Sequence, residues 1–285
     1  MVPIVHPGPF AVAPVLLHDA IASGALTIGE HGGGGVVNSV VAHNTGKTRV
    51  LILEGESIVG AMQNRVVTMD VLLAPESKVE VPVGCVEHGR WRSTSKDFRA
   101  ADMPLEPSLR RRTVREMSEE GRLNQERLWA DVADTLERSQ LRSSSGDYHE
   151  VTTRKRGELE DQLKHMPRAG NQVGMIAFLD GQLLAMDMLG SPENWTSMAE
   201  RLTKAYLLAG MNAPVMAGHA GFAAGATLPA EQQSVNAWLR RIAGSHVRVR
   251  PGVSMGTQLM LAAPGLTGAG LWTDDGPAHV AVFGE

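Results

Sequence analysis

Two stretches of this chain crowd chemically capable residue types into short spaces. In Glu54-Gly55-Glu56-Ser57-Ile58-Val59-Gly60-Ala61-Met62-Gln63-Asn64-Arg65, carboxylates, amides and a guanidinium occupy the connection between two apolar strands. In Val81-Pro82-Val83-Gly84-Cys85-Val86-Glu87-His88-Gly89-Arg90-Trp91, an apolar strand runs directly into a charged, aromatic end. Glu87 can act as a general base, and by residue type so can Glu54 or Glu56. Gln63, Asn64, Arg65 and Arg90 can hold a polar ligand, and a guanidinium suits a bidentate grip on phosphate. Trp91 can stack on a planar base or pack beneath the loop. Strand alternation puts Val81, Val83, Cys85 and Glu87 on one face. Cys85 then reads in two ways: as a small buried hydrophobe, or as a thiolate nucleophile whose pKa is lowered by Arg90 or His88. Glu87 likewise reads as a catalyst or as the ion-pair partner of an arginine. Gln125 falls on the apolar face of an expected helix, where its amide needs a partner, either structural or a ligand.

Other patterns have simpler readings. Thr45-Gly46-Lys47-Thr48 matches the end of a phosphate-binding loop, but position 41 is Val and a strand rather than a helix follows, so it reads as a hairpin turn. Gly252-Val253-Ser254-Met255-Gly256 matches a nucleophile elbow, with Asp274, Asp275 and His279 downstream. The alternating βα units of a hydrolase are missing around it. The Gly32 to Gly35 run reads as a flexible loop. The ten histidines form no H-x-x-x-H or H-E-x-x-H pair, so no dedicated metal site is expected and no cofactor is indicated.

The elements that must position these groups fall into three regions: 1–103, 104–145 and 146–285, which can also form one integrated domain. The first predicts an antiparallel, β-sandwich-like region, with strands at Val36–Val41, Val50–Leu53, Val66–Leu73 and Lys78–Glu87. The second predicts one charged helix capped by Ser108. Val114, Met117, Gly121, Gln125, Leu128, Val132 and Leu136 share its inner face, and Gly121 marks a bend. The third predicts an α+β layer: a hairpin about Asp180-Gly181, a helix capped by Ser191-Pro192 that ends at Gly210, a helix near Ala230–Ala243, and strands at His246–Arg250, Thr257–Leu261 and Ala278–Phe283. The fold class is therefore α+β.

Composition bounds the partners. A chain of 285 residues with net charge −4 and 4% aromatics carries no basic field for nucleic acid and few stacking residues. It has no apolar run long enough to span a bilayer. One cysteine permits no internal disulfide, which is compatible with a reducing, cytoplasmic setting. The oligomeric state is open.

Taken together, Glu54-Gly55-Glu56 to Gln63-Asn64-Arg65, the Cys85-Val86-Glu87-x-Gly89-Arg90-Trp91 stretch, Gly174 to Gly190 and Trp195 to Tyr206 resemble the ARPP family, named for association with ADP-ribosylglycohydrolase and rhodanese-phosphatase proteins. The likeness spans most of the chain. That family pattern carries a second acidic residue after Glu56, where this chain has Ser57. The resemblance implies a link to NAD and ADP-ribose metabolism. The expected ligand is a small, phosphate-bearing nucleotide derivative. Gln63, Asn64, Arg65, Arg90, Trp91 and Gln125 are its candidate contacts, and Glu87 and Cys85 are candidate catalysts. The alternative is a non-catalytic interaction or structural module, in which the same side chains bury one another in a network with no cavity.

Overall fold

The computed structural model describes residues 1–6, 8, 12–32, 35–213 and 228–285. Gly33 and Gly34 of the glycine run lie outside them. In chain order, the first half contains β1 (Val2–Val5), β2 (Val15–Leu16), α1 (Leu17–Ala22), β3 (Leu26–Gly29), β4 (Ser39–Asn44), β5 (Val50–Ile52), β6 (Ser57–Gly60), β7 (Arg65–Val67), β8 (Val71–Leu73), β9 (Ser77–Cys85) and β10 (Phe98–Ala100). There follow α2 (Pro107–Glu119), α3 (Gln125–Arg138), α4 (His149–Leu163), β11 (Gln172–Leu179), β12 (Gln182–Leu189), α5 (Pro192–Met211), α6 (Leu228–Ala243), β13 (His246–Pro251), β14 (Thr257–Ala263), β15 (Leu266–Thr273) and β16 (Gly276–Gly284). The chain is thus mixed, with helices and several sheets.

The strands form three sheets among the described residues. One runs β1-β11-β12-β16-β15-β14-β13, one runs β10-β6-β7-β9-β4-β3, and a small one runs β2-β5-β8. Every pairing is antiparallel except β2 with β5. The first strand therefore leaves its own region to edge the C-terminal sheet, Pro3 opposite Met175. The Asp180-Gly181 hairpin forms as expected: both residues take positive φ, 49° and 76°, and Leu179 pairs with Gln182. Ser191 caps α5 by accepting from Asn194 N at 3.1 Å. That helix runs one residue past Gly210, and Trp195, Met198, Leu202 and Tyr206 pack on Met175, Ala185 and Phe283 of the seven-stranded sheet.

Three sequence expectations need correction. The central helix is two helices: Gly121 adopts φ +70°, which ends the first, and Asn124 caps the second by accepting from Arg127 N. Ser108 is not the cap of α2. Glu106 holds that position, and the Ser108 hydroxyl donates to Glu106 Oε1. The expected Val66–Leu73 strand breaks at Thr68-Met69-Asp70 because Asp70 turns inward to meet buried partners. Helix α4 and strand β15 were not expected at all.

What Asp70 meets is a buried set of charges drawn from every region of the chain. Arg110 on α2 donates to both oxygens of Asp187 on β12, at 2.9 and 2.7 Å, and to Glu54 Oε1. Tyr206 on α5 donates to Asp187. His279 on β16 bridges Asp70 Oδ1 at 2.8 Å and Asp187 Oδ1 at 2.9 Å. None of the six is more than 1% exposed. Burial works against both cations, but Asp187 and Glu54 hold Arg110 well above its ordinary pKa, and Asp70 and Asp187 raise His279 to about 10. Asp187 is held below the carboxylate range, because Arg110 and His279 outweigh its burial. Glu54 is raised by burial, and its Oε2 has no partner. Two cations thus face three carboxyl groups, each cation held by two of them. Gly55 takes φ +80°, and a Cβ there would fall 2.6 Å from the Arg110 side chain, so glycine is what lets the guanidinium in.

Candidate functional site

The two polar stretches meet. Gln63 lies just before β7, and its Nε2 donates to the Glu87 carbonyl at 2.8 Å. Asn64 N donates to Glu87 Oε2 at 3.2 Å, and Asn64 Oδ1 accepts from Gly60 N at 2.9 Å and Arg90 Nη2 at 3.2 Å. Arg90 Nε reaches Glu87 Oε2 at 2.8 Å. Its other nitrogens reach the carbonyls of Ala61, Arg92 and Gly60. Arg90 thus knits the β6–β7 turn to the loop after β9. Those hydrogen bonds hold Glu87 below the usual carboxylate range although burial works the other way.

The remaining expected residues face inward or sit apart. Arg65 is fully buried on β7. Its Nη1 donates to the Val37 carbonyl at 2.8 Å and to Cys85 Sγ, and its Nη2 pairs with Glu30 at 3.3 Å. Trp91 is 48% exposed and lies with its ring 5.5 Å from the Arg65 guanidinium carbon. Cys85 is buried, and that burial pushes its thiol up to about 11 against the pull of Arg65, which suits a packed thiol rather than a nucleophile. Gln125 uses its amide as a strand mimic: Oε1 accepts from Cys85 N and Nε2 donates to Cys85 O, both at 2.8 Å. It completes the side of β9 that β7 does not cover.

Asn64, Glu87 and Arg90 border a cleft of about 1040 Å³ whose opposite wall is the start of α4. Here the structure adds Asp147, which the sequence did not single out. Its Oδ2 accepts from Asn64 Nδ2 at 3.1 Å and its Oδ1 from His149 N at 3.0 Å. Burial raises its pKa, with Glu87 adding to the rise. Asn64 therefore bridges two carboxylates whose surroundings push them in opposite directions, the pattern by which one site holds a base and a proton donor together. His149 also lines the cleft. Its Nε2 is out of solvent with no partner, and burial lowers its pKa to about 4, so the ring is neutral. No sequence signal marks Asp147, because it follows an ordinary polar loop, Ser143-Ser144-Ser145-Gly146.

The decoy motifs are structural. Thr45-Gly46-Lys47-Thr48 is the β4–β5 turn, where Asn44 Oδ1 accepts from Gly46 N. Gly252 to Gly256 is the β13–β14 turn, closed by Gly252 N to Gly256 O at 2.9 Å, while His279 is buried on Asp70 and Asp187 and meets no serine. Among the described residues no group of three or more His, Cys, Asp or Glu could hold a metal ion. No helix there is long and apolar enough to cross a membrane.

A largely antiparallel α/β chain with a polar cleft between a strand connection and a helix start is the class these features define. The chain belongs to the ARPP-1 family, the ARG and Rhodanese-Phosphatase-superfamily-associated Protein domain, whose model matches residues 1–283. Comparison with curated proteins and with solved structures finds no match.

Proposed function

We propose that the chain is a ligand-binding or enzymatic domain acting on a nucleotide-derived metabolite in NAD- or ADP-ribose-linked metabolism, with the cleft beside Asn64, Glu87, Arg90 and Asp147 as its site. The observation that carries this reading is the convergence of both polar stretches on one wall of a cleft with room for a nucleotide. The family name is an association and supplies no chemistry of its own. In this reading Asn64 orients the carboxylate pair. Glu87, held low, serves as the base, and Asp147, raised by burial, is the better proton carrier of the two. Arg90 positions Glu87, since its own donors are already engaged. The lone unpaired thiol suits a cytoplasmic setting.

A second reading, a structural or interaction module, draws on the burial of Gln63 against Glu87 and of Arg65 against Cys85 and Glu30. A thermal-shift series with NAD, ADP-ribose and AMP separates the two. A compound that binds only the folded chain stabilises it by about 2.7 kcal/mol at a hundred times its Kd. We expect ADP-ribose or NAD to raise Tm in a saturable way. A flat response to all three into the millimolar range favours the module.

A further inference from the structure

The guanidinium groups open to a ligand in this cleft are not those of the two polar stretches. Arg65 is fully buried on β7 and Arg90 is taken up by Glu87 and backbone carbonyls, so neither is available to an incoming anion. The same cleft is lined by Arg99 on β10, Arg142 after α3 and Arg154 in the first turns of α4. All three are exposed, and their side chains make no ion pair or hydrogen bond among the described residues. The acidic groups around them are largely committed. Glu87 is held by Arg90, Asp147 accepts from Asn64 and His149 N, and Glu150 accepts from Ser143. Asp97 alone lines the cleft with no side-chain partner. The cleft's four arginines and four carboxyl groups balance formally, but Glu87 is ion-paired and Asp147 and Glu150 accept from neutral donors, so three guanidinium groups keep all their donors open to a ligand. The positive end of the α4 dipole and the unpartnered Nε2 of neutral His149 face the same space.

We propose that this cleft is an anion subsite in which Arg99, Arg142 and Arg154 grip the diphosphate bridge of the ligand. The proposal rests on the reading that this cleft is the ligand site, and it names the group recognised there. Three guanidinium groups with open donors suit the oxygens of a diphosphate diester, which guanidinium groups bind in a forked geometry. At about 1040 Å³ the cleft exceeds what a phosphate alone fills, leaving space for groups on either side of the bridge.

The test is calorimetric titration of the full chain, at low salt, with ADP-ribose, AMP and inorganic pyrophosphate. Wild type is compared with Arg99→Gln, Arg142→Gln, Arg154→Gln and the triple variant, with Arg115→Gln in a separate groove as control. These arginines are exposed, so Tm should stay at the wild-type value and report folding. The expected result is that AMP binds at least about tenfold more weakly than ADP-ribose. Each single variant should weaken ADP-ribose by about tenfold, as befits loss of one charge-assisted contact, while Arg115→Gln changes nothing. If ADP-ribose binds but the triple variant matches wild type, or AMP binds equally well, the subsite is wrong and the nucleotide reading survives. If pyrophosphate binds in an arginine-dependent way while neither nucleotide does, the subsite stands and the nucleotide reading falls. If nothing binds, both fall.

Discussion

Arg90 and Lys47 make the sharpest contrast at the scale of single residues. Lys47 sits in an exposed turn, where most substitutions change stability by less than about 0.5 kcal/mol. Arg90 closes a partly buried pair and four backbone or amide contacts, so Arg90→Ala should cost on the order of 3 kcal/mol, read as a lower urea midpoint, while Lys47→Ala leaves it in place. Equal midpoints for the two variants would show that Arg90 is not the tie described here. Cys85 offers a second check: native protein should react slowly with a thiol reagent and rapidly once unfolded, because the thiol is buried and raised to about 11. Fast labelling of the native chain would restore the nucleophile reading. The sequence disclosed the Gln63-to-Arg65 and Glu87-to-Trp91 clusters because polar groups stood out beside apolar strands. It did not disclose Arg110, which sits beside Arg111 and Arg112 on a charged helix, where nothing local distinguishes the fully buried arginine from its half-buried neighbours.

Among elements, the break between α2 and α3 matters most to the site. It turns Gln125 toward the end of β9, where the amide satisfies both backbone groups of Cys85. Gln125→Ala leaves that N–H and carbonyl without protein partners and should destabilise by about 1–3 kcal/mol, with β9 amides near residue 85 exchanging hydrogen faster than those near residue 80. Unchanged exchange at Cys85 would mean that the clamp contributes nothing. The hairpin at Asp180-Gly181 and the cap at Ser191 were legible because turn and cap chemistry is local. The separation of β7 from β8 was not, because Asp70 leaves the strand to reach His279, which lies 209 residues away in sequence. Hydrophobic periodicity contains no information about such a partner.

On the scale of the whole molecule, the buried charges tie the three sequence regions together, and they make stability depend on pH in a definite direction. His279 has a folded pKa near 10 against 6.5 unfolded, so its contribution is fully present below 6.5 and is lost as pH rises through 10. Glu56, raised by burial to about 6, favours the folded state only while protonated, and that contribution fades between 4.5 and 6. Asp187, held low, contributes above 3.8 and loses its contribution as pH falls below that value. Tm should therefore be highest on the mildly acidic side and fall steadily from pH 6.5 to 10, and Glu56→Gln should flatten the profile between 4.5 and 6. A Tm that is constant or rising from pH 7 to 10 would contradict the charged His279. The same ties predict that a fragment ending at residue 103 does not fold alone, since it leaves Glu54 and Asp70 without Arg110 and His279; cooperative melting of that fragment would show otherwise. The central claim is that ligand chemistry happens at the cleft between the β6–β7 connection and the start of α4. Amide chemical-shift mapping of the labelled chain during titration with ADP-ribose tests it most directly. The account predicts saturable shifts concentrated at Asn64, Glu87, Arg99, Asp147 and His149; shifts confined to another face, or none at saturating concentration, would contradict it.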